Sequence, residues 1–575
     1  MAMNTVSREF LSRIKDTVAR TSALGRVSDW LEKNTKINGQ KFSFKGHEFQ
    51  REIIDCKHPN VATIKPSQCG LSEMSARLAL GFLAVQGNVV SIYTLPTVNE
   101  ALRFAKSRID PIIRDSEYLT GIMSAGNDSS SFKQIGSSQL FMAGTFGKAL
   151  ISIPTDLLIV DEVDFSNPEV LVTAESRLTH SKLKDEDLNI RGVRRKLSTP
   201  TVTGVGISEM FENSDKRYRL VKCRTCLEYS IPSFLDNVVV QGYDRSMHDL
   251  TYSDVQDLEL RGLLSTAKLL CPYCHNVIEQ RNLQPDYREW VAEHPTVTHI
   301  VGFQVSPFDL PDYHSAESIL RKRLEFKEEE GHFRNFVLGL PHDSSSNSVS
   351  KGAVKKNKVL NFEQSGSGCI AGLDVGRVSW LTIGRVVNGK LHVIWAESIR
   401  VNYENADNLF DTVKTRLKEF GVVRAVMDSQ PFFDTILRIQ GQFPEGVVLP
   451  CMYTLRDTKL PAYVINDRDW TVAANRTKVL DIIVKKINSD NVKFANFPEI
   501  DIVEQHLQGM KRVERTDDEG TIAAQWVKTG PDHYFHSLSY LNMCSEMVQT
   551  GEFIAFSPKI SIKQAIVGRN YREKV

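Results

Sequence analysis

Long apolar runs are missing from this chain: none approaches the ~18 residues of a membrane span, and the N-terminus carries no hydrophobic signal segment. The expectation is a protein neither inserted in a membrane nor secreted. An excess of charge of one sign is missing too. With 71 Lys and Arg against 70 Asp and Glu, net charge is silent about nucleic acid, and any DNA-binding surface must come from segregated patches. Cysteine is too sparse for a disulfide scaffold. Of nine cysteines, four form two CxxC pairs and the rest are scattered, a usage that suits a reducing compartment. What the chain does have is length: 575 residues exceed what one hydrophobic core usually supports, so two or three domains are expected.

The stretch Leu157-Leu158-Ile159-Val160-Asp161-Glu162 organises the N-terminal half. Four apolar residues end on two adjacent carboxylates, the pattern of a buried strand delivering acids to a sheet edge. Read as a Walker B strand, it gives Asp161 the task of holding Mg²⁺ and Glu162 that of polarising the water that attacks a γ-phosphate. A core strand running into an acidic turn is the structural alternative.

Upstream, residues 61–64 form a short β-branched segment, and a helical pattern begins at Glu73. Between them lies Lys65-Pro66-Ser67-Gln68-Cys69-Gly70-Leu71-Ser72. Strand, loop, helix is the context in which loop amides and a helix N-terminus face a phosphate. Gly70 and Ser72 keep the places they hold in G-x-x-x-x-G-K-[ST], but Leu71 occupies the lysine position and Lys65 that of the first glycine. A lysine at the loop's start could fold across to supply the cation, with the Ser72 hydroxyl on Mg²⁺; an ordinary β-α turn is the alternative. Gln50, in His47-Glu48-Phe49-Gln50, offers a donor and an acceptor to an adenine edge. Residues 88–95 read as another buried strand before Pro96-Thr97 and a helix. Ser198-Thr199-Pro200-Thr201 stands where helicase-like ATPases carry a coupling motif.

The ordered set Lys65…Gly70-x-Ser72, Pro96-Thr97…Phe104…Arg108-Ile109-x-Pro111, Asp161-Glu162-Val163-Asp164 and Ser198-Thr199-Pro200-Thr201 resembles the large terminase subunit of tailed double-stranded DNA phages. It is most similar to the lambda-like, GpA-type branch, where a phosphate loop with lysine at its start is also found. The resemblance runs from about Gly46 to about Tyr540.

Cys223-x-x-Cys226 and Cys271-Pro272-Tyr273-Cys274 can close one tetrahedral Cys₄ zinc site, with a small subdomain inserted between the pairs. All four positions would be filled by protein, so the metal would be structural. The resemblance extends to this cysteine-rich segment. Residues 340–359 turn serine- and lysine-rich and read as a flexible connector.

Beyond it, residues 369–376 begin a new apolar strand with Asp374 embedded in it, and alternating segments on either side of Asn388-Gly389 describe hairpins. Asp428 ends a later strand, and Asp532 opens a helix spanning 534–547, with His536 one turn on. An acid on a first hairpin strand, one on a later parallel strand and one on a closing helix suits an RNase H-like nuclease, in which carboxylates hold two Mg²⁺ or Mn²⁺ ions. Glu397 and His536 are candidates for supporting roles. Asp374 as a turn residue, Asp428 as a strand-end acid and Asp532 as a helix N-cap are the structural alternatives.

The fold expected is α/β: a P-loop (ASCE-type) ATPase domain plus an RNase H-like nuclease domain, with a zinc-bearing insertion. The boundaries are an N-terminal helical arm at 1–45, ATPase core at 46–210, cysteine-rich insertion and return at 211–340, linker at 341–360, nuclease at 361–557 and basic tail at 558–575. The resemblance implies a packaging motor that uses ATP, Mg²⁺ or Mn²⁺ and structural Zn²⁺, and works in the host cytoplasm. It implies double-stranded DNA, a small terminase subunit and the procapsid portal as partners, and a homo-oligomeric ring when docked. The rivals are a helicase-nuclease of repair and a nucleotide-inactive DNA-binding assembly protein.

Overall fold

The computed structural model describes residues 27–145, 150, 153–279, 287–327, 329–344, 347–359, 368–402, 406–455, 460–516 and 522–550. Two compact units divide the chain, Met1–His342 with Glu514–Ala523 and Asp343–Val513 with Ala524–Val575. Among the described residues no helix is long and apolar enough to cross a membrane. Residues 1–26 of the expected N-terminal helical arm and the basic tail at 558–575 lie outside the described residues.

The first unit is built on an eleven-stranded sheet. Its centre is parallel, in the order Val301–Gln304, Asn60–Ile64, Val193–Ser198, Leu157–Asp161, Val90–Leu95 and Ser138–Gly144. Strands buried on both faces read as continuous apolar runs, and every residue of Leu157–Asp161 is buried. The order places Val193–Ser198 between the strand that feeds the glycine loop and the strand that ends in acids. Both therefore open on the same edge, one strand apart. Helix Leu71–Gln86 covers one face, and at Gly81 it lets Val27, Trp30 and Leu31 of helix Val27–Asn34 approach to where a β-carbon would stand 3.0–3.3 Å from them.

The segment expected as insertion and return, 211–340, begins and ends against the main sheet. Arg217–Lys222 and Val301–Gln304 are strands of the main sheet, paired with each other and, through the latter, with Asn60–Ile64. The cysteine pairs are carried by the excursion between these strands. It has its own apolar core, where Phe234, Val255, Leu258 and Leu264 meet Ile319, Leu320 and Phe333.

The second unit holds an eight-stranded mixed sheet. Cys369–Asp374, Val378–Val387 and Lys390–Arg400 are antiparallel neighbours. Val422–Asp428 then runs parallel to Cys369–Asp374, and Val448–Met452 parallel to Val422–Asp428. Asn388 and Gly389, both at positive φ (51° and 76°), make the tight turn of the long hairpin, the backbone that an Asn-Gly pair favours.

Within the expected connector, the described residues 347–359 are docked. Val349, Ala353 and Val354 are buried in the core of the second unit, and Asn488 Nδ2 and Asn357 Nδ2 donate to the Ser348 and Ile487 carbonyls at 2.9 and 2.8 Å. Three apolar side chains among the serines and lysines suffice to dock the segment.

Helix His533–Thr550 packs across the sheet with most of its residues buried. It comes so close because Gly372 has no side chain: a β-carbon there would sit 2.1 Å from the Ser537 carbonyl oxygen and 2.5 Å from the Leu541 nitrogen. Gly372→Ala should therefore displace the helix and destabilise the second unit by roughly 2–3 kcal/mol, read as a lower thermal unfolding midpoint for that unit.

Candidate functional site

At the edge where the parallel strands end, Lys65 is buried against both carboxylates of the acidic strand. Its ammonium lies 2.7 Å from Glu162 Oε1 and 3.9 Å from Asp161 Oδ1. Burial disfavours the charged lysine, but the Glu162 and Asp161 charges outweigh it and raise its pKa above the ordinary value. Asp161 is almost fully enclosed, and burial raises its pKa against the opposing pull of Lys65. Two hydroxyls hold it: Tyr93 donates to Oδ2 at 2.8 Å, and Ser72 hydrogen-bonds it from the start of the helix. Tyr93 was not singled out from sequence; a tyrosine amid the apolar residues of a buried strand is the only signal it leaves.

Gly70 caps helix Leu71–Gln86 in the left-handed region, φ 78°, a conformation open to glycine at little cost. Leu71 turns into the apolar core with Ile53, Ile54 and Met74, so the usual lysine position has no access to the loop's mouth. Gln50, expected to meet an adenine edge, is engaged within the chain. Buried, it donates its Nε2 to the Cys69 carbonyl at 2.8 Å and props the loop from behind. A second brace comes from the return segment, where the Phe336 carbonyl accepts the Ser67 amide at 2.8 Å and Gly339 lies against Pro66.

Glu162 adopts φ 59°, ψ 55°, a left-handed position that is uncommon for a residue with a side chain and that concentrates at functional sites. Ser198 donates to its Oε2 at 3.4 Å. Asp164 ties the next motif in. Its Oδ2 accepts the Thr201 amide and hydroxyl at 2.7 and 2.8 Å, and its Oδ1 accepts the Ile207 amide at 2.7 Å. Burial pushes Asp164 up to about 6 despite these bonds.

The four cysteines of the two CxxC pairs converge. Their sulfurs all lie within 4.8 Å of one another, with Cys223–Cys274 and Cys226–Cys271 each at 3.7 Å. A tetrahedron with metal–sulfur bonds of ~2.3 Å has edges of about 3.8 Å, so this spacing is that of a tetrahedral thiolate site and is compatible with zinc. Each pair forms the same turn, in which the residue after the second cysteine, Leu227 or His275, donates its amide to the first cysteine's carbonyl at 3.0 Å and takes a positive φ. Hydrogen bonds from Asn276 bring Cys274 down to about 6, favouring the thiolate that binds metal.

In the second unit, Asp374 and Asp428 end neighbouring parallel strands on one sheet face. Asp532 immediately precedes the helix that packs on that face. Burial pushes Asp428 up to about 7, against hydrogen bonds from Gln430 and Tyr540 and with the help of the Asp374 charge. Asp532 goes the other way: although burial opposes it, His536 and Lys528 hold its carboxyl well below the usual range. Lys528 Nζ stands 2.7 Å from Asp532 Oδ1, and His533 Nδ1 is 2.9 Å from Asp374 Oδ2, its ring stacked on Trp380. Each acid thus has its own neighbours, and among the described residues only the cysteines form a group of three or more ligand atoms within 4.8 Å of one another. His533 and Lys528 were missed from sequence because their partners are distant or lie across a turn.

Glu397 does not join this group. It pairs across the sheet with Leu381, one residue out of step with the Asp374, Trp380 and Ser398 row, and so faces the other side, where Arg416 holds it at 2.6 Å. Glu499 stands on the acid-bearing face instead, accepting from Ser398 and Tyr534.

Residues 40–290 match the family model described as the phage terminase large subunit gpA, ATPase domain. A comparison with curated proteins finds no match. Among solved structures, the large terminase of bacteriophage HK97 is 11% identical, with 90% of this chain and 98% of that one covered at a TM-score of 0.47. The large terminase of a thermophilic bacteriophage, in complex with ATP-gamma-S, is 8% identical over 87% of this chain and 98% of that one, TM-score 0.29. The large terminase nuclease of thermophilic phage G20c with bound magnesium is 13% identical over 34% and 97%, TM-score 0.24.

The cysteine geometry makes a direct prediction. Titration of reduced, metal-stripped protein with Co²⁺ should give the absorption of a tetrahedral thiolate site, saturating at about one ion per chain, and Cys271→Ser should abolish it.

Proposed function

We propose, from the match of residues 40–290 to the model of the phage terminase large subunit gpA ATPase domain, that the chain is a viral DNA-packaging motor subunit. Its first unit drives double-stranded DNA into a procapsid at the cost of ATP, and its second cuts concatemeric genomes with divalent metal. One observation carries the reading of the first unit: Lys65, from the start of the glycine loop, meets Asp161 and Glu162 across an intervening strand. That arrangement supports an ASCE-type P-loop domain with its cation at the unusual end of the loop.

The residues fit MgATP. Gly70 opens the helix N-terminus to an anion, Ser72 and Asp161 are already paired at the cation's place, and Lys65 stands over both acids. MgATP, when bound, supplies the phosphoryl group whose transfer to water releases the free energy. Lys65 compensates phosphate charge, Ser72 and Asp161 hold the Mg²⁺, and Glu162 orients the attacking water. Because Lys65 is the ion-pair partner of Glu162 in the structure, a phosphate that draws Lys65 away also frees the carboxylate, linking substrate binding to readiness for hydrolysis. Through Ser198 and Asp164 the Glu162 position reaches Thr201, a route by which nucleotide state can move the following segment.

In the second unit, three antiparallel strands followed by two parallel ones, closed by helix His533–Thr550, support an RNase H-like nuclease. Asp374, Asp428 and Asp532 would hold Mg²⁺ or Mn²⁺, which activates water and stabilises the leaving oxygen. Asp428, raised by burial and by Asp374, is the carboxylate with most to gain from a cation. The repair-helicase rival requires a second ATPase-like sheet in this place and has no support in this strand order. Cys223, Cys226, Cys271 and Cys274 would hold structural Zn²⁺. Double-stranded DNA, a small terminase subunit and the procapsid portal are the partners of this reading, with a homo-oligomeric ring at the portal and the host cytoplasm as the place of work.

Two predictions separate the engines. Lys65→Ala should lower ATP turnover by at least ~10³-fold, and Glu162→Gln should bind nucleotide yet hydrolyse it no faster; turnover by Lys65→Ala at the parental rate contradicts the loop assignment, whereas a parent that neither binds nor hydrolyses ATP favours the nucleotide-inactive reading. Asp428→Ala should lose Mg²⁺- or Mn²⁺-dependent plasmid cleavage while keeping ATP turnover. Cleavage at the original rate would exclude Asp428 from the metal site.

A further inference from the structure

Gln50 spends its amide donor on the Cys69 carbonyl and is buried, so a base bound beside the phosphate loop needs another surface. Strand order shows where to look. Ligands of open α/β sheets collect at the carboxyl ends of parallel strands, and Val301–Gln304 is the parallel neighbour of Asn60–Ile64 on the side away from the acids, with Gln304 opposite Ile64 and the Val305 amide donating to the Ile64 carbonyl at 3.0 Å. The chain that follows Gln304 thus leaves the sheet beside the chain that becomes the phosphate loop.

That following segment is rigid. Ser306 and Asp309 form a capping box, and buried Asp309 is also 3.3 Å from Arg288 Nη1. At its end Tyr313 is 63% exposed, an unusual position for a tyrosine on so fixed a support. Its ring centroid lies 5.5 Å from that of His47, inclined at 54°. The backbone of His47 is fixed at the N-cap position of the helix that carries Gln50, its amide donating to the Phe44 carbonyl at 2.7 Å and its carbonyl accepting the Gln50 amide at 2.9 Å. Two aromatic rings from distant parts of the sequence therefore meet, one helical turn from the side chain that props the phosphate loop.

We propose that Tyr313, backed by His47, is the platform on which the purine base of the nucleotide stacks. This rests on the ATP reading of the same site and adds the base-binding element to it. The chemistry is face-on: a planar heteroaromatic base against a tyrosine ring, an interaction that does not depend on the base's edge. Gln50 acts one step removed, as a positioning residue for the loop.

The experiment compares binding of MgATP and of magnesium tripolyphosphate, which has the phosphates but no base, to the full chain and to Tyr313→Ala and Tyr313→Phe. The parent should bind MgATP more tightly than tripolyphosphate. Tyr313→Ala should lose about tenfold in MgATP affinity, raise KM for ATP with kcat unchanged, and keep parental affinity for tripolyphosphate; Tyr313→Phe should behave as the parent. Tyr313→Ala with parental MgATP affinity, or an equal loss for both ligands, overturns the platform while leaving the ATP reading standing. A parent that binds neither ligand overturns the ATP reading and the platform with it.

Discussion

A buried lysine between a buried and a partly exposed carboxylate is the interaction on which the first unit depends. Enclosing the ammonium of Lys65 and the carboxylate of Asp161 away from water costs several kcal/mol for each ion unless attraction to opposite charge offsets it. Lys65, Asp161 and Glu162 are arranged so that it does, with Tyr93 and Ser72 satisfying Asp161 further. The arrangement requires that the loop strand and the acidic strand end on the same edge, one strand apart, and sheet order delivers that. It also requires the loop to be held from behind, which Gln50 does through Cys69 and residues 336–339 do through Ser67 and Pro66. On the proposed ATP reading, a phosphate entering the loop would compete with Glu162 for the same cation.

The second unit is governed by close approach. Gly372 admits helix His533–Thr550 to the sheet, and the helix start brings Asp532 to the face on which Asp374 and Asp428 end. The carboxylates answer to different neighbours. Asp428 has little compensation and its pKa is raised, whereas Asp532 is compensated by Lys528 and His536 and its pKa is lowered. On the proposed nuclease reading, one acid raised and another lowered would let divalent metal bind without first carrying the full repulsion of three bare carboxylates.

Much of this was legible in the sequence because its signals are local. The apolar run into Asp161-Glu162, the glycine at 70, Asn388-Gly389 and the two CxxC pairs each imply a backbone shape within a few residues. What was not legible depends on long-range pairing. Nothing near Glu397 reveals that it is one step out of register with Asp374 and faces Arg416. Nothing near Gln50 shows that its amide meets a carbonyl nineteen residues away. The serine-rich stretch misled because composition outweighed three apolar residues, Val349, Ala353 and Val354, that dock it. The cysteine excursion and its return toward the core were recognised, but not that Arg217–Lys222 and Val301–Gln304 pair with each other in the main sheet, which only the fold brings about.

The central claim is that the phosphate cation comes from the first residue of the loop. An acyl-phosphate derivative of ATP transfers its acyl group to a lysine amine lying at the bound phosphates, and mass spectrometry of the digested protein locates the modified residue. The account predicts acylation at Lys65, suppressed by excess MgATP. Competable labelling of a different lysine, with Lys65 unmodified, would contradict it.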